Sequence, residues 1–256
     1  MSIALIGHTG FVGGTLCRTG SFNLLINRAN LATLRGQRLE RVVCAGLPAA
    51  KWIANREPAA DGANMESLRD VLATVEARQF VLISTIDVYP ETVGHDEDYD
   101  CSLLPNHAYG ANRLAFEQFV RTRFPHAHII RLPGLFGPGL RKNVIHDLLH
   151  ENGLAAINPE STFQWYPITR LANDLSRVEK AGLRLVNLFT EPLQTREILE
   201  RFFPGKQVGA APASCARYEL RTKHANVFGR SDGYIMGRDA VLMALSAYLR
   251  GQGLSG

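Results

Sequence analysis

The sequence is poor in cysteine and shows no pairing motif among the cysteines it has. Cys17, Cys44, Cys101 and Cys215 lie far apart without a Cys-x-x-Cys spacing, so they indicate neither a zinc site nor a disulfide framework. The histidines also lack the spacing of metal ligands. Long apolar runs are absent too: the stretch at residues 3–6 is followed by glycine, which is too short for a signal peptide or a membrane span. We therefore expect reduced thiols, no metal, no membrane segment and a cytoplasmic location.

A strong excess of one charge is also lacking. The chain has 28 Lys and Arg against 24 Asp and Glu, which gives a formal net charge of +4. This balance suits a small anionic ligand such as a nucleotide phosphate. The basic clusters at residues 35–41 and 221–224 contain no interleaved aromatics and match no DNA-binding motif. Nucleic acid is therefore not an expected partner.

Short apolar runs recur along the chain and predict the strands of a parallel sheet. They lie at residues 3–6, 22–26, 41–45, 80–84 and 128–132. Helical patterns separate several of them, notably at residues 64–75 and 113–123. Strands that alternate with helices predict an α/β fold with a doubly wound parallel sheet.

Prolines and glycines at residues 133–139 interrupt this pattern, and a further strand at residues 184–189 is expected to return to the sheet. The sequence therefore predicts a main domain and a small discontinuous C-terminal lobe. The predicted main domain comprises residues 1–132 plus about 174–191, and the predicted lobe comprises about 133–173 plus 192–256.

Three glycines follow the first predicted strand in the run GHTGFVG at residues 7–13. Gly7 permits a tight turn, Gly10 lets the backbone approach a phosphate, and Gly13 allows close packing of the next helix. The free amides at the start of that helix, around Phe11 and Val12, favour an anion together with the helix dipole. An ordinary strand-to-helix turn is the alternative. The context indicates a site for the pyrophosphate of a dinucleotide, which makes the main domain the dinucleotide-binding one.

Further motifs follow in order along nearly the whole chain. They are Asn64 in a helical segment, STIDVY at residues 84–89, YGANR at 109–113 and RLPGLFGPG at 131–139. Together with the Gly-x-x-Gly-x-x-Gly spacing, they resemble the extended short-chain dehydrogenase/reductase family, which includes nucleotide-sugar epimerases and dehydratases. The resemblance implies a Rossmann-like fold, NAD or NADP as cofactor, a nucleotide-linked small-molecule substrate in the C-terminal lobe, and a homodimer.

The resemblance also implies catalytic roles. Tyr109 would exchange a proton with the substrate, Thr85 would bind the reacting oxygen, and Asn64 would hold a water or the active helix. Because an unperturbed tyrosine has a pKa of about 10, a fixed cation must lower the Tyr109 pKa toward neutrality. The alternatives are an exposed helical pair for Tyr109 and Arg113, a strand end for Thr85 and a helix N-cap for Asn64.

The largest departure from the family is Arg113, which stands where the motif Tyr-x-x-x-Lys has lysine. An arginine can bond a ribose and stabilise a phenolate, but it holds its charge above about pH 12 and cannot relay a proton. Lys51, after the third predicted strand, is a candidate replacement cation, although a surface lysine is the simpler interpretation.

Other cofactor contacts are implied by the same resemblance, at Ala45, Gly46, Ser84 and Pro133. Arg28 follows the second predicted strand, where it could contact a 2′-phosphate and so favours NADP over NAD; a solvated arginine is the alternative. Basic side chains available for a substrate diphosphate are Arg141, Lys142 and Arg170.

These observations predict an NAD(P)-dependent oxidoreductase or epimerase/dehydratase that acts on a small polar substrate, with a sugar nucleotide as the class implied by the resemblance. The alternative is a catalytically silent NAD(P)-binding regulator or complex subunit. The main evidence for this alternative is Arg113.

Overall fold

The computed structural model describes residues 2–254, which divide into two compact units. In chain order the strands are β1 (Ile3–Ile6), β2 (Leu24–Ile26), β3 (Arg38–Cys44), β4 (Glu76–Thr85), β5 (His128–Leu132), β6 (Gly134–Phe136), β7 (Thr162–Phe163), β8 (Trp165–Pro167), β9 (Leu185–Asn187) and β10 (Leu193–Gln194). The helices are α1 (Phe11–Thr19), α2 (Lys51–Arg56), α3 (Pro58–Leu72), α4 (Ala108–Arg123), α5 (Val144–His150), α6 (Leu171–Lys180), α7 (Thr195–Phe202) and α8 (Arg238–Gly251).

The first unit comprises the residues up to Pro90, Tyr99–Leu132 and Leu171–Asn187, and it contains one parallel sheet. The strand order is β2-β1-β3-β4-β5-β9, with every neighbouring pair parallel. The order reverses between β1 and β3, and ligands of such sheets bind outside the carboxyl ends of the strands at that point. The predicted α/β fold with a doubly wound parallel sheet is confirmed.

Successive side chains of a strand point to opposite faces of the sheet. Those on one face form a core with α3 and α4. In β1, Ala4 and Ile6 join a buried cluster that includes Met65 of α3 and Phe116 of α4. The helical period of α3 and α4 supplies the matching apolar stripe, because residues three and four apart share a face. The predicted strands are therefore buried by helix packing, as parallel strands require.

Two helices of the first unit begin earlier than the sequence predicts. The helix α3 begins at Pro58 rather than at residue 64, because proline at the first helical position has its φ already set for a helix. The helix α4 begins at Ala108 rather than at residue 113, because the His107 ring accepts a hydrogen bond from the Gly110 amide at 3.0 Å. As a result Tyr109 lies within the first turn of α4.

The second unit comprises Glu91–Asp98, Pro133–Arg170 and the residues from Leu188 onward. It thus includes Glu91–Asp98, which the prediction put in the first domain, and its last segment starts before residue 192. Its two small sheets pair β6 with β8 in parallel and β7 with β10 antiparallel. Buried Gln164 links the segments: its amide donates to Thr190 O at 2.6 Å and to Leu220 O at 2.8 Å.

Across the described residues, no helix combines the length and the apolar character needed to cross a membrane.

A buried ionic network joins α4 to the carboxyl ends of three strands in the first unit. The Glu117 carboxylate accepts hydrogen bonds from Ser84 Oγ at 2.6 Å and from Arg131 Nη2 at 2.8 Å. The Arg131 guanidinium lies 4.9 Å from the ring centroid of Tyr89, whose hydroxyl oxygen accepts from Asn187 Nδ2 at 2.7 Å. A charge buried this deeply needs its partners, so the network fixes how α4 sits on the sheet.

We expect Glu117→Gln to lower the free energy of unfolding by about 3–5 kcal/mol, because it leaves the Arg131 guanidinium buried without a counter-charge. Urea unfolding followed by circular dichroism measures the loss. The matched control is Glu66→Gln, which removes an exposed partner of Arg69 on α3 and should unfold like the parent protein. Equal stability of the two variants would show that the buried pair contributes nothing.

Candidate active site

The turn between β1 and α1 brings the backbone too close for side chains at two of its glycines. Gly7 has a φ of +85°, and a Cβ there would lie 2.4 Å from the carbonyl oxygen of Ala45. A Cβ on Gly13 would lie 2.1 Å from the carbonyl oxygen of Gly7. These glycines are therefore demanded by the packing of the protein itself, and Ala45 and Gly46 lie against the turn.

Gly10 differs, because the protein alone does not require a glycine there. Its φ is −80°, and the nearest heavy atom to a Cβ would be Gly7 O at 3.4 Å. The residue is exposed, immediately before Phe11 and Val12 at the start of α1, and the first turn of α1 has no acidic side chain. The first amides of a helix have no partner within it. A diphosphate fits this helix start, because the amides are exposed, no acidic side chain repels it and Gly10 has no side chain in the way.

Arg28 lies beside Asn64 at the carboxyl end of β2, on the far side of β1 from β3. Its Nη2 donates to Asn64 Oδ1 at 2.6 Å, and Asn27 Nδ2 lies 3.4 Å from His8 Nε2. The N-cap interpretation of Asn64 is wrong, because α3 already begins at Pro58. The Asn64 side chain is exposed in mid-helix and bonds Arg28, rather than holding the helix that carries the tyrosine.

Ser84 and Pro133 were both predicted to contact the cofactor. The structure gives each of them a different setting. The Ser84 hydroxyl donates to buried Glu117, so its side chain serves the interior. Pro133 belongs to the second unit, and its predicted contact stays a prediction.

Tyr109 is held tightly at the start of α4. Its backbone amide donates to Asn55 Oδ1 at 2.9 Å. A Cβ on the adjacent Gly110 would lie 2.1 Å from Asp87 O, which shows how closely this turn packs on the end of β4. The residue is only 8% exposed, so Tyr109 is not the exposed helical residue that was the alternative.

The pKa of Tyr109 departs from the expectation. Burial raises the pKa above its ordinary value and outweighs the lowering by the Arg113 charge. The Asp87 carboxylate raises the pKa further, whereas the Thr85 hydrogen bond and Lys51 lower it. The prediction that the pKa of Tyr109 falls toward neutrality is therefore wrong for the groups of the protein alone. Tyr109 is a neutral phenol at neutral pH, able to donate a proton.

Arg113 is buried and bonded to the protein rather than directed toward a ribose. Its guanidinium forks onto the Asp61 carboxylate, with Nη2 at 2.9 Å from Oδ1, and also donates to Pro48 O at 2.5 Å. The carbon at its centre lies 3.9 Å from the ring centroid of Tyr109. The Arg113 guanidinium therefore makes a cation–π contact with the ring of Tyr109. Its charge is balanced by the carboxylate of Asp61 on α3.

Asp61 is the first residue that the sequence analysis missed. Burial by itself would raise its pKa, but hydrogen bonds from Arg113 and Asn112 and the charge of Arg113 outweigh burial and hold the pKa below its ordinary value. The available signal was the replacement of a family lysine by arginine, because a buried guanidinium calls for a carboxylate nearby.

Asp87 is the second residue that the sequence analysis missed. Its carboxylate lies close to several polar side chains near Tyr109. Lys51 Nζ lies 2.6 Å from Asp87 Oδ1, and His107 Nε2 lies 4.0 Å from the same oxygen. Thr85 Oγ1 lies 3.4 Å from Asp87 Oδ2. The candidate cation Lys51 is therefore not a solvated surface lysine but part of a cluster at the carboxyl end of β4.

No group of three or more His, Cys, Asp or Glu side chains suited to a metal ion occurs among residues 2–254.

The fold is that of several sugar-nucleotide enzymes. A double mutant of dTDP-glucose 4,6-dehydratase from Streptomyces venezuelae, solved with NAD bound, matches with a TM-score of 0.75 and 16% identity over 98% of this chain and 96% of that one. A dTDP-4-dehydrorhamnose reductase from Clostridium acetobutylicum matches with a TM-score of 0.73 and 16% identity over 99% and 100%. UDP-glucose 4-epimerase from Thermotoga maritima, with UDP-glucose, matches with a TM-score of 0.70 and 15% identity over 98% and 99%.

No protein-family model and no curated protein sequence matches the chain. At these identities the solved structures establish a common fold. The Rossmann-like fold that the sequence resemblance implied is thereby confirmed.

We expect Gly13→Ala to lower the free energy of unfolding by about 3 kcal/mol, since backbone atoms must move to admit the methyl group. Gly10→Ala should lower it by less than about 1 kcal/mol, because its Cβ would make only a van der Waals contact with Gly7 O and alanine is merely a weaker N-cap than glycine. Thermal and urea unfolding of the two variants measure the difference. A Gly10→Ala protein as unstable as Gly13→Ala would contradict the assignment of Gly10 to a ligand.

We expect Asp61→Asn to lower the free energy of unfolding by about 3–5 kcal/mol at neutral pH, because Arg113 loses its counter-charge. The folded-state pKa of Asp61 lies below the unfolded value of about 3.9. The stabilisation by the charge is therefore fully present above that value and is lost as the pH falls through the folded pKa.

Urea unfolding at a series of pH values tests this, with exposed Asp70→Asn on α3 as the control. The gap between parent and Asp61→Asn should narrow in acid. A gap of constant size at every pH would mean that the carboxylate charge is not what stabilises the pair.

Proposed function

We propose that the protein is an NAD(P)-dependent oxidoreductase or epimerase/dehydratase that acts on a sugar nucleotide. The observation that carries the proposal is a juxtaposition on one edge of one parallel sheet. Gly10 presents bare backbone at the start of α1 after β1, and the turn that carries Tyr109 packs on the chain that follows β4, which ends at Thr85. Only β3 separates the two strands.

The residues at the reversal of strand order fit a dinucleotide. The backbone from Gly7 to Gly13 would hold the pyrophosphate, through the amides of Phe11 and Val12. A bound nicotinamide would supply the hydride exchange that amino-acid side chains cannot perform. Ala45 and Gly46 would lie along the same dinucleotide, because the Gly7 turn packs directly on them.

Tyr109 would handle the proton. As a neutral phenol, it can give its proton to a substrate carbonyl oxygen, and its phenolate can take one from a substrate hydroxyl. Burial keeps bulk water from competing with the substrate for this group. Arg113 acts by positioning, because its guanidinium supports the Tyr109 ring while Asp61 holds it in place.

A sugar nucleotide is the proposed substrate class because the solved structures with this fold include enzymes of UDP- and dTDP-sugars. In the second unit, Arg141 and Lys142 are exposed and Arg170 is half-buried. These cations are the proposed partners of the substrate diphosphate.

NADP is the proposed cofactor form. Arg28 stands at the carboxyl end of β2, where the adenosine ribose of a dinucleotide lies in this class of sheet. Its hydrogen bond to Asn64 orients the guanidinium for a 2′-phosphate. A homodimer and a cytoplasmic location stay predictions from the sequence.

The second candidate function is a dinucleotide-binding regulator without turnover. The observation that favours it is the commitment of Arg113 to Asp61 and Pro48, which leaves this arginine unable to take the part that lysine has in the family. It predicts the same cofactor binding as the enzyme, but no effect of Tyr109 on function.

The test is a calorimetric titration with NAD, NADH, NADP and NADPH, followed by turnover assays with UDP-glucose and dTDP-glucose. We expect tightest binding of an NADP form and a loss of about tenfold or more in affinity, or about 1.4 kcal/mol, in Gly10→Ala. Arg28→Ala should remove the preference for NADP. Tyr109→Phe should abolish turnover and leave cofactor affinity nearly unchanged.

Arg38→Ala, at the amino end of β3 and 83% exposed, is the control for Arg28→Ala and should bind like the parent. Binding without turnover of either sugar nucleotide would favour the regulator. Absence of binding of all four dinucleotides would refute both functions.

A further inference from the structure

We infer that His107 positions Tyr109 by capping helix α4 with its neutral ring, and that protonation of this ring releases the cap. The inference deepens the proposed function and rests on it in one respect, because Tyr109 is the group whose position matters for turnover. The cap itself is a feature of the first unit, so it can be tested without cofactor or substrate.

The backbone amide of Gly110 depends on a side chain for its hydrogen bond. It belongs to the first turn of α4, where amides have no partner within the helix. Gly110 is buried, and the chain after β4 packs directly on it, since a Cβ there would lie 2.1 Å from Asp87 O. A buried amide without a partner costs free energy comparable to a lost hydrogen bond. His107 Nδ1 accepts from this amide at 3.0 Å.

This hydrogen bond requires a neutral His107 ring with its proton on Nε2. An imidazole that is protonated on both nitrogens has two donors and no acceptor. Protonation would therefore place an Nδ1–H group against the Gly110 N–H group. The His107 side chain is 33% exposed, so a proton from solvent reaches the ring.

The surroundings of His107 favour the neutral ring at neutral pH. Burial and the charge of Lys51 lower the pKa of His107, and Arg113 lowers the pKa further, whereas Asp87 raises it. These charges come from α2, from α4 and from the turn after β4, and the Tyr109 ring lies 6.3 Å away between centroids. The stabilisation by the neutral ring is therefore fully present above the unfolded pKa of about 6.5. It is lost as the pH falls through the lower folded pKa.

The protonated ring has a different partner within reach. His107 Nε2 lies 4.0 Å from Asp87 Oδ1, which also accepts from Lys51 Nζ at 2.6 Å. A charged ring is attracted to this carboxylate and repelled by the Gly110 amide. The two protonation states of His107 therefore favour two different positions of the ring.

Loss of the cap would reach Tyr109, because the residues around Gly110 form one turn. The Tyr109 amide is held by Asn55 Oδ1 at 2.9 Å, and the Ala111 amide donates to His107 O at 3.0 Å. An uncapped Gly110 amide reaches water through local opening of this turn. Opening would expose the Tyr109 ring, whose pKa is raised by burial. Loss of the cap should therefore lower the pKa of Tyr109 toward its ordinary value of about 10.

Three variants separate the cap from the charge of the ring. His107→Asn keeps an acceptor, because the Oδ1 of asparagine caps helices but does not titrate. His107→Ala removes the acceptor at every pH. His126→Ala is the matched control, because His126 is an exposed histidine beyond the other end of α4.

The first measurement is hydrogen exchange of the Gly110 amide. Tyr109 is the only tyrosine in the sequence that is followed by glycine. Protein made with 13C-carbonyl tyrosine and 15N-glycine therefore gives one NMR signal from a 13C–15N peptide bond. The protection factor of this amide against exchange, measured over a series of pH values, reports local opening.

We expect the protection factor of Gly110 in the parent to fall by about fivefold or more in acid, as loss of an N-cap implies. The His126→Ala protein should behave like the parent. His107→Asn should keep its protection over the same pH range, and His107→Ala should have the lower value already at neutral pH. All four proteins have the same carboxylates, so acid protonation of carboxylates does not account for these differences.

The second measurement is the pKa of Tyr109, followed by NMR of protein labelled with 13C at the ζ carbon of tyrosine. The signal that is missing from Tyr109→Phe identifies this residue. His107→Ala should lower the pKa of Tyr109, and His107→Asn should leave it as in the parent. An unchanged pKa in His107→Ala would overturn the positioning of Tyr109, because a cap that only stabilises the helix end would not alter this pKa.

Equal protection of Gly110 in the parent and in His107→Ala at neutral pH would overturn the cap. The same loss in acid for His107→Asn as for the parent would overturn its release by protonation. This comparison of the parent with His107→Asn also carries the test if His107→Ala does not fold.

The expected NMR results in a protein that binds no dinucleotide would uphold the cap and remove the proposed function. In an active protein, kcat of the parent should fall in acid with KM nearly unchanged, and kcat of His107→Asn should fall less. An equal fall of kcat in the two proteins would overturn the role of the cap in turnover, even if both convert a sugar nucleotide.

Discussion

The buried pair of Arg113 and Asp61 is the interaction on which the candidate site depends. It joins α4 to α3 beneath the ring of Tyr109, so the position of the phenol is set by a charge pair rather than by packing alone. The same pair neutralises the cation that stands nearest the phenol. Burial outweighs the charge of Arg113, so the phenol stays protonated at neutral pH.

A second buried pair secures α4 further along its length. Glu117 lies one turn after Arg113 and is bonded to Arg131 of β5 and Ser84 of β4. The first pair therefore fastens the helix to its neighbouring helix, and the second fastens it to the sheet. Isolated surface ion pairs contribute little to stability, whereas these pairs are buried, and each loses its balance when one partner is removed.

Much of the fold was readable from the sequence, because parallel strands buried on both faces appear as short apolar runs and glycines mark the turns between them. The strands at residues 3–6 and 128–132 form at the predicted residues. The site was less readable, because its decisive contacts join residues far apart in sequence. The pairing of Arg113 with Asp61 across 52 residues, and of Lys51 with Asp87 across 36, leaves no periodic signal. The N-cap alternative for Asn64 was wrong because Pro58 starts its helix earlier, and the Tyr109 pKa was misjudged because burial is a tertiary property.

The glycine turn also bears on how strongly a ligand can be held. Gly7 and Gly13 make their close backbone contacts within the protein itself, so the turn does not have to become ordered when a ligand arrives. Association normally loses free energy to the ordering of loops and side chains. A preorganised turn avoids that loss. More of the free energy of the diphosphate contacts then contributes to the binding affinity.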